Sequence, residues 1–446
     1  MTSKLHTGFV VVDRDRCRFR VDRRTYSDRE VLRRERDTLF RRCWLYVGHG
    51  SEIATPGDFL TRTIGGYDLI LTRDRSGAAH AFFNSCTHRG ATICRELNGN
   101  ARVFTCPYHG WVFDAHTGKL RDQAAKSGYS DSFNSDGVYD LRRVPRLEAY
   151  REFHFVNYDA NAMGLVEYLA GAAEFLDLVA DQSADGMEII AGGQELHSSG
   201  NWKLLIENSY DAYHGPTLHR SYFEFLDTRV SGQNMVATQK GYGVGLGNGH
   251  GAFEIELRSG RPVAQWIAPF GAESKPVIAA IKRELVERLG ETRAERVAER
   301  QRNLIVFPNL VINDNIGLSV RTVYPEGPDR LMAYVWALGT RNESPLLRKI
   351  RLDNYLTFVG PGGFATPDDF EAFALCQRGN DFTPAAWSDI SKGMTADEDL
   401  LHAKGDFMDE AQMRSWWTQW DRMLGGAGQL QVPGSGGGQD ERADHA

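Results

Sequence analysis

Residues 86–114 read CTHRGATICRELNGNARVFTCPYHGWVFD. This stretch contains two short motifs, Cys86-Thr-His88 and Cys106-Pro-Tyr-His109, and each combines one cysteine with one histidine. Thiolate and imidazole are the side chains that bind zinc and iron–sulfur centres most readily. Four such side chains in two matched loops predict a metal site.

The arrangement of the ligands distinguishes between two kinds of metal centre. A zinc finger usually takes its cysteines from one turn and its histidines from another, whereas each loop here supplies one of each. If one iron binds both cysteines and the other binds both histidines, the two loops enclose a two-iron cluster of the Rieske type. Gly90 and Gly110 follow the two motifs and allow the backbone to approach such a cluster closely. The spacing favours a Rieske cluster, with zinc as the alternative.

The segments around these motifs predict an α+β protein. Short apolar runs separated by Gly, Asn and Asp turns predict a small all-β domain over residues 44–155. Ser27, with Glu30 three residues later, predicts the start of a helix before that domain. Apolar residues at helical spacing predict single helices over 165–182, 201–226, 276–303 and 408–424. Residues 304–339 predict strands of a second sheet, and the Gly-, Ser- and charge-rich tail 426–446 is predicted to be disordered.

Composition excludes several classes of protein. The chain has 446 residues, with 52 Lys and Arg against 59 Asp and Glu, so its net charge is −7. An acidic chain is not a generally basic nucleic-acid binder. Six cysteines are too few for a disulfide scaffold, and no apolar run is long enough to span a bilayer. The N-terminus does not resemble a signal peptide, so we expect a cytoplasmic protein with reduced thiols.

A second group of candidate ligands lies in the segment 201–219. Asp211 and His214 are three residues apart and share a face of the predicted helix. The Gly215-Pro216 pair disturbs that helix, because proline removes a backbone hydrogen bond, and this allows His219 to turn back towards His214. Two histidines and one carboxylate form the facial triad that binds Fe(II) and leaves positions open.

The spacing leaves the carboxylate of this triad open. Asp211 is the local choice, unless it orients one of the ligand histidines instead. The distant candidates are the acidic pair Asp368 and Asp369, which follows a glycine-rich stretch much later in the chain.

Together these motifs resemble the large (α) subunit of the Rieske non-heme iron aromatic-ring-hydroxylating oxygenases, over roughly residues 10–425. The matching motifs are Cys86-Thr-His88-Arg-Gly, Cys106-Pro-Tyr-His109-Gly-Trp, Asn201-Trp-Lys, Glu207-Asn208, Asp211-x-Tyr-His214 and His219. The resemblance implies a [2Fe–2S] cluster held by Cys86, Cys106, His88 and His109, and a mononuclear Fe(II) held by His214, His219 and Asp369.

The resemblance also implies roles for residues beside the iron. Asp211 would accept hydrogen bonds from His109 of a neighbouring subunit and from His214, and so carry electrons across the interface. Asn208 would lie close to the iron. Asp368 stays an alternative to Asp369, because Pro367 precedes the pair where related chains often have Gln or Ser.

The fold implied by the resemblance is a Rieske all-β domain inserted into a helix-grip (START-like) catalytic domain with an antiparallel sheet. On this basis residues 1–43 are the N-terminal helical part of the catalytic domain, and residues 44–155 are the Rieske domain. Residues 156–425 are the rest of the catalytic domain, and 426–446 are the tail.

The implied activity is that of a terminal oxygenase. A ferredoxin, a reductase or both would deliver electrons from NAD(P)H, and O₂ would be added to an aromatic ring as a cis-dihydrodiol. The family forms α₃ trimers, often α₃β₃ with a small β subunit. The chain is similar to the branch that acts on benzoate, p-cumate and salicylate. A Rieske monooxygenase and a dioxygenase of neutral polycyclic aromatics remain alternatives, whereas a simple electron carrier would need only the inserted domain.

The sequence identifies the substrate pocket less well. A carboxylate substrate would require a buried Arg or Lys, and periodicity does not identify it. The candidate liners are Tyr210, Tyr213, Tyr222, Phe223, Phe225, Val306, Phe307, Leu310, Val359 and Phe364.

Overall fold

The structure, a computed structural model, describes residues 8–229, 240–256, 260–382 and 386–425. The strands are β1 (Val10–Asp13), β2 (Arg18–Asp22), β3 (Leu45–His49), β4 (Asp58–Ile64), β5 (Tyr67–Arg73), β6 (Ala79–Phe83), β7 (Asn98–Asn100), β8 (Val103–Thr105), β9 (Val112–Asp114), β10 (Leu120–Asp122), β11 (Arg146–Tyr150), β12 (Phe153–Asn157), β13 (Met187–Ile189), β14 (Gln194–Ser199), β15 (Lys240–Gly245), β16 (Gly251–Glu256), β17 (Arg300–Val306), β18 (Leu310–Asp314), β19 (Ser319–Gly327), β20 (Arg330–Thr340), β21 (Trp387–Asp389) and β22 (Lys404–Asp406). The helices are α1 (Arg29–Arg42), α2 (Leu165–Leu169), α3 (Ala172–Ala180), α4 (Trp202–Ser209), α5 (Gly215–Leu218), α6 (Arg220–Arg229), α7 (Ser274–Leu289), α8 (Glu291–Glu299), α9 (Pro345–Phe358), α10 (Thr366–Phe382) and α11 (Ala411–Met423). The tail predicted over 426–446 lies outside the described residues.

The region around the two Cys/His motifs consists of two small antiparallel sheets. One has the strand order β6-β5-β4-β7 and the other β10-β9-β8. Among the strands that the structure describes, these seven pair with none outside residues 58–122. On either side of them in the chain, β3 pairs with β12, and β12 with β11. The domain boundaries at residues 43/44 and 155/156 stay a prediction.

A larger antiparallel sheet forms the second part of the molecule. Its strand order is β13-β20-β19-β18-β17-β16-β15-β22, and β14 also pairs with β20. Helix α4 contacts β17 to β20, and α11 contacts β15, β16 and β22. Apolar side chains between these helices and the sheet form the main hydrophobic core. The predicted α+β class, with helices held against an antiparallel sheet, is confirmed.

The first and last described segments of the chain are joined. β2 pairs with β1 on one side and with β21 on the other. The backbone N–H of Phe9 also donates a hydrogen bond of 2.7 Å to Oδ1 of Asp421, close to the end of α11. The N-terminal segment is therefore built into the same body as the C-terminal helix.

Two of the predicted single helices are each broken into two. The stretch 165–182 forms α2 and α3, and the break lies at Ala170, whose φ is +46°. The stretch 276–303 forms α7, α8 and the start of β17, with a break at Gly290, whose φ is +76°. A right-handed helix cannot continue through a residue with positive φ. No helix among the described residues is long and apolar enough to cross a membrane.

Helix α1 begins slightly later than the sequence predicts. Its N-cap is Asp28, whose side chain accepts a hydrogen bond of 2.7 Å from the backbone N–H of Glu30. Ser27, the predicted cap, ends the preceding 3-10 turn instead. Aspartate and serine are about equally good N-caps, so propensity alone could not separate two adjacent candidates.

A buried carboxylate connects three helices in the main core. Glu35 of α1 accepts hydrogen bonds from Nζ of Lys203 (2.7 Å), Nε1 of Trp202 (2.9 Å) and Nε1 of Trp420 (2.9 Å). The side chains of Glu35 and Lys203 are completely buried. Burial lowers the pKa of Lys203, and the attraction of Glu35 opposes this effect. The Asn201-Trp-Lys motif therefore binds α4 to α1 and α11.

A second buried carboxylate lies one turn further along α4. Oε1 of Glu207 accepts hydrogen bonds of 2.7 Å from the hydroxyl of Tyr26 and from Nε1 of Trp417. Burial raises the pKa of Glu207 to about 7, although both hydrogen bonds lower it. Two polar contacts thus hold α4 in one position immediately before the second group of candidate ligands.

We expect the effects of replacing Glu35 and Lys203 on the free energy of unfolding to be strongly coupled. Glu35→Gln and Lys203→Met should each lower the free energy of unfolding by about 3–5 kcal/mol, because each leaves one buried charge without its partner. The double variant should be more stable than either single variant, since no unpaired charge remains. Chemical denaturation monitored by tryptophan fluorescence measures all three.

The control is Lys349→Met, which removes the lysine of an exposed pair with Asp353. Its unfolding midpoint should hardly change, because exposed ion pairs contribute little. Additive losses in the double variant would contradict the proposed coupling between Glu35 and Lys203.

Candidate metal centres

The two Cys/His motifs form loops of the same geometry. In the first loop the backbone N–H of Cys86 donates to the carbonyl of Ala91 (2.8 Å), and that of Gly90 donates to the carbonyl of Cys86 (2.8 Å). The second loop repeats this pattern from Cys106 and Gly110. Both glycines have positive φ, +76° and +67°, a conformation that L-residues with a side chain rarely adopt. The matched spacing in the sequence therefore reflects matched backbone geometry.

Like ligands face each other across the two loops. The thiols of Cys86 and Cys106 are buried in contact, and burial together with the neighbouring thiol raises the pKa of Cys86. The imidazole rings of His88 and His109 lie with their centroids 4.6 Å apart. Nδ1 of His109 is buried without a hydrogen-bond partner among the described residues. Two thiols on one side and two imidazoles on the other fit a Rieske [2Fe–2S] cluster.

Aromatic side chains hold these loops in place. The indole of Trp111 stacks on His88, with centroids 4.7 Å apart and an interplanar angle of 8°. Tyr129, Phe133 and Tyr139 pack edge-on against the same indole. These contacts fix the orientation of His88. They belong to a separate apolar cluster that includes both cysteines.

The predicted helix over 201–226 is interrupted where the second group of ligands lies. Helix α4 ends at Ser209, and the short helix α5 begins with Gly215-Pro216. His214 immediately precedes α5 and His219 immediately follows it. Nε2 of the two histidines are 3.2 Å apart, so the predicted return of His219 towards His214 is present in the structure.

Asp369 joins the two histidines from another part of the chain. It lies in the first turn of α10, and its Oδ1 is 3.2 Å from Nε2 of His219 and 3.8 Å from Nε2 of His214. One ligand atom from each of these residues lies within 4.8 Å of the others. Asp368, the alternative, approaches the opposite ring nitrogen of His219, with Oδ2 3.7 Å from Nδ1. The geometry therefore favours Asp369 as the third ligand.

This trio has the properties of a metal site. His219 and Asp369 are buried, and three atoms that carry lone pairs converge on one point. Such atoms repel one another unless a proton or a cation lies between them. Two imidazoles and one carboxylate are the facial ligand set of non-heme Fe(II). The donor set thus fits a mononuclear iron.

Asp211 and Asn208 support the trio rather than complete it. Oδ2 of Asp211 lies 3.5 Å from Nδ1 of His214, on the ring side opposite the trio. Burial lowers the pKa of His214, but contact with Asp211 and attraction by Asp369 outweigh it and raise the pKa overall. Nδ2 of Asn208 donates to Oδ1 of Asp369 (3.0 Å) and lies 3.3 Å from Nε2 of His214. Asp211 is therefore placed to orient a ligand.

A pocket of about 120 Å³ opens on the trio. Of the ten liners proposed from the sequence, only Phe223 lines it, while Tyr222 and Phe225 line a neighbouring pocket. The residues that the sequence reasoning missed come mainly from the inner face of the large sheet and from the end of α9. They are Phe253, Ile255, Gln301, Asn303, Asn313, Arg321 and Phe358.

A sequence signal for part of this wall was present. Gln301 and Asn303 are two residues apart in β17, on either side of Arg302, and Asn313 follows three apolar residues in β18. Polar residues with a period of two inside a buried strand lie on one face of the sheet. Polar residues on a buried face indicate a functional surface. The sequence of one strand does not show which residues of the neighbouring strands lie beside them.

Comparison with known proteins agrees with this geometry. Residues 43–137 match the Rieske [2Fe-2S] domain, and residues 190–424 match the ring hydroxylating alpha subunit (catalytic domain). The chain is 34% identical over 377 residues to the 2-halobenzoate 1,2-dioxygenase large subunit of Burkholderia cepacia. The aligned region covers 84% of this chain and 80% of that protein. It is 34% identical over 406 residues to the toluate 1,2-dioxygenase subunit alpha of Pseudomonas putida, with 88% and 87% covered.

A solved structure shares the whole architecture. The naphthalene 1,2-dioxygenase from Rhodococcus sp., bound to indole, superposes with a TM-score of 0.79 at 28% identity, over 91% of this chain and 94% of that chain. In this chain the Rieske domain match comes first and the catalytic domain match follows it. The chain therefore belongs to the large (alpha) subunits of the Rieske ring-hydroxylating dioxygenases, oxidoreductases that use a [2Fe–2S] cluster, a mononuclear non-heme iron and O₂.

Proposed function

We propose that this chain is the terminal oxygenase that adds both atoms of O₂ to the ring of an aromatic carboxylate. The observation that carries the proposal is the trio of His214, His219 and Asp369 at the wall of a pocket with apolar and amide side chains. A metal-binding trio that faces a pocket places the metal and an organic substrate side by side.

The relatives and the pocket support a small aromatic acid as substrate. The large subunits with 33–34% identity are named for 2-halobenzoate, toluate and anthranilate. These are single-ring carboxylates. The pocket volume of about 120 Å³ is close to that of cavities that accept one benzene ring. A single ring therefore fits better than a bicyclic or tricyclic hydrocarbon.

The protein's own groups perform positioning and insulation. When bound, the cluster supplies single electrons and the mononuclear iron supplies the chemistry of O₂. Asp211 lies 3.5 Å from Nδ1 of His214 and attracts that ring nitrogen, and Asn208 donates a hydrogen bond to the carboxylate of Asp369. Phe223, with the other apolar side chains of the pocket, keeps water away from the substrate ring.

Electron transfer is proposed to cross a subunit interface. As an oxygenase component, the chain receives electrons through a ferredoxin, a reductase or both. We infer that Asp211 also accepts a hydrogen bond from His109 of a neighbouring copy, in an α₃ or α₃β₃ assembly. Two features support this: the side chain of Asp211 is partly accessible, and His109 is also partly exposed. The proposal further places the assembly in the cytoplasm.

The two adjacent aspartates should differ in iron binding. In Asp369→Asn the mononuclear iron should be lost while the two irons of the cluster remain, because the amide is a much weaker ligand than the carboxylate. Asp368→Asn is the matched control and should keep all three irons. Iron analysis of purified holoprotein, with the cluster measured by its visible absorbance, tests both. Loss of the mononuclear iron only in Asp368→Asn would reverse the assignment.

Replacement of Asp211 should separate electron transfer from metal binding. In Asp211→Asn both metal centres should stay occupied, but oxidation of the reduced cluster after addition of substrate and O₂ should be abolished. The reason is that the amide of asparagine cannot replace the carboxylate as the acceptor of hydrogen bonds from both His214 and His109 of the neighbouring copy. Stopped-flow absorbance of the cluster measures the rate.

The control for this experiment is Asp227→Asn, which removes an exposed carboxylate from α6. It should oxidise its cluster at the normal rate. Unchanged cluster oxidation in Asp211→Asn would refute the bridging role.

The reaction itself is tested by a single turnover under ¹⁸O₂. Chemically reduced holoenzyme is offered benzoate, toluate and anthranilate beside toluene and naphthalene, and the products are analysed by mass spectrometry. We expect two labelled oxygens in the product of an aromatic acid. One labelled oxygen would assign a monooxygenase, and label only in a neutral product would exclude the carboxylate substrate.

A further inference from the structure

Arg321 is a cationic side chain in the wall of the substrate pocket. It lies in β19 and pairs with Val311 of β18. Because alternate residues of a strand share a face, Arg321 faces the same side of the sheet as Asn313, two residues after Val311. Both line the pocket that opens on the iron-binding trio. The pocket therefore has a positive charge on the sheet side.

The guanidinium group of Arg321 has unused hydrogen-bonding capacity. Its Nε is buried without a hydrogen-bond partner, and no described residue forms a hydrogen bond or ion pair with the group. Burial lowers the pKa of Arg321, and the attraction of Asp369 opposes this effect. A guanidinium group nevertheless stays charged at neutral pH.

The four arginines with buried side chains in the described chain are all paired with carboxylates. Arg261 and Arg302 bind Asp314, Arg351 binds Glu343, and Arg414 binds Glu398. A buried charge without a partner is unfavourable, so this protein satisfies its other buried guanidinium groups internally. Arg321 is partly buried and has no carboxylate partner at the place where a ligand would enter. Arg20 also has a buried Nε without a hydrogen-bond partner, but its guanidinium group lies over Trp387 and does not line this pocket.

Asp369 does not serve as the missing partner. Its Oδ1 accepts a hydrogen bond from Asn208 and points at the imidazoles of His214 and His219. No ion pair within 4.0 Å connects Asp369 to Arg321. The attraction between them acts at longer range, so the donors of Arg321 remain available to a molecule in the pocket.

We propose that Arg321 binds the carboxylate of the aromatic substrate. The planar fork of a guanidinium group matches a carboxylate and can donate two parallel hydrogen bonds. With its carboxylate at Arg321, the substrate places its ring in the pocket between Phe223 and Phe358, beside the trio. This inference rests on the proposed function, and it names the residue that selects acids over neutral aromatics.

The test compares the binding of benzoate and of benzamide, its neutral isostere, to iron-loaded holoenzyme without O₂. Calorimetric titration gives the dissociation constants, and iron analysis confirms that the metal centres are intact. The unchanged protein should bind benzoate more tightly. Arg321→Gln should weaken benzoate binding by about tenfold to a hundredfold, the range for hydrogen bonds to a charged group, and leave benzamide binding nearly unchanged.

Two further variants keep the result interpretable. Arg321→Lys retains the charge without the fork, so it should recover part of the affinity for benzoate. Arg330→Gln removes an exposed arginine from the start of the neighbouring strand β20, and its affinities should equal those of the unchanged protein.

Other outcomes would overturn the inference in distinguishable ways. If Arg321→Gln keeps its iron and binds benzoate normally, Arg321 does not bind the carboxylate, although the proposed function stands. If the variant loses its mononuclear iron and benzoate and benzamide binding fall together, Arg321 acts through Asp369 instead. If the unchanged protein neither binds nor oxidises any aromatic acid, the proposed function itself fails.

Discussion

The buried pair of Glu35 and Lys203 is the constraint on which the catalytic site depends. Taking both charges out of water is costly, so the pair is stable only with its full set of hydrogen bonds. Those bonds come from the indoles of Trp202 and Trp420, which lie on two different helices. As a result, α1, α4 and α11 have one mutual arrangement in which Glu35 keeps all three of these hydrogen bonds.

This arrangement fixes the position of α4, and the segment with the predicted iron ligands follows directly after that helix. Helix α4 carries Glu207 on the side of the core and Asn208 on the side of the pocket. The helix ends at Ser209, and in the segment that follows, His214 comes directly before the short helix α5 and His219 directly after it. A rigid helix thus supports an irregular segment that can converge on Asp369 of α10. The site combines a fixed base with ligands that regular structure alone could not bring together.

The sequence predicted those parts of the molecule whose signals are local. Cys86, His88, Cys106 and His109 could be predicted as cluster ligands because each loop contains one cysteine and one histidine at close spacing. The choice between Asp368 and Asp369 depended on which ring nitrogen of His219 each one approaches, and only the folded chain shows that. The helix break at Ala170 was missed because alanine favours helices and its positive φ arises from tertiary packing.

The pocket was the least predictable part, for a related reason. Its wall consists of one face of several strands, and the residues that meet there are far apart in the chain. Aromatic residues close to His219 in sequence were natural candidates, yet most of them pack away from this pocket. The residues on either side of Arg321 in β19 are buried, so the sequence pattern alone predicts that this strand packs in the core. Its role becomes visible only when its lack of a partner is known.

The joining of the first and last described segments also affects the order in which the protein can fold during synthesis. Within the described residues, the strands around the Cys/His loops pair with one another, and β6 also forms a bridge from Phe82 to Arg143. That part is therefore complete once the ribosome has made about the first third of the chain. The body that holds the candidate iron trio must wait for β21 and α11, because the backbone N–H of Phe9 and one edge of β2 lack their partners until then. Domains generally fold as units during translation, with the N-terminal one first. We therefore expect the cluster loops to be ready for assembly while the iron site is still incomplete.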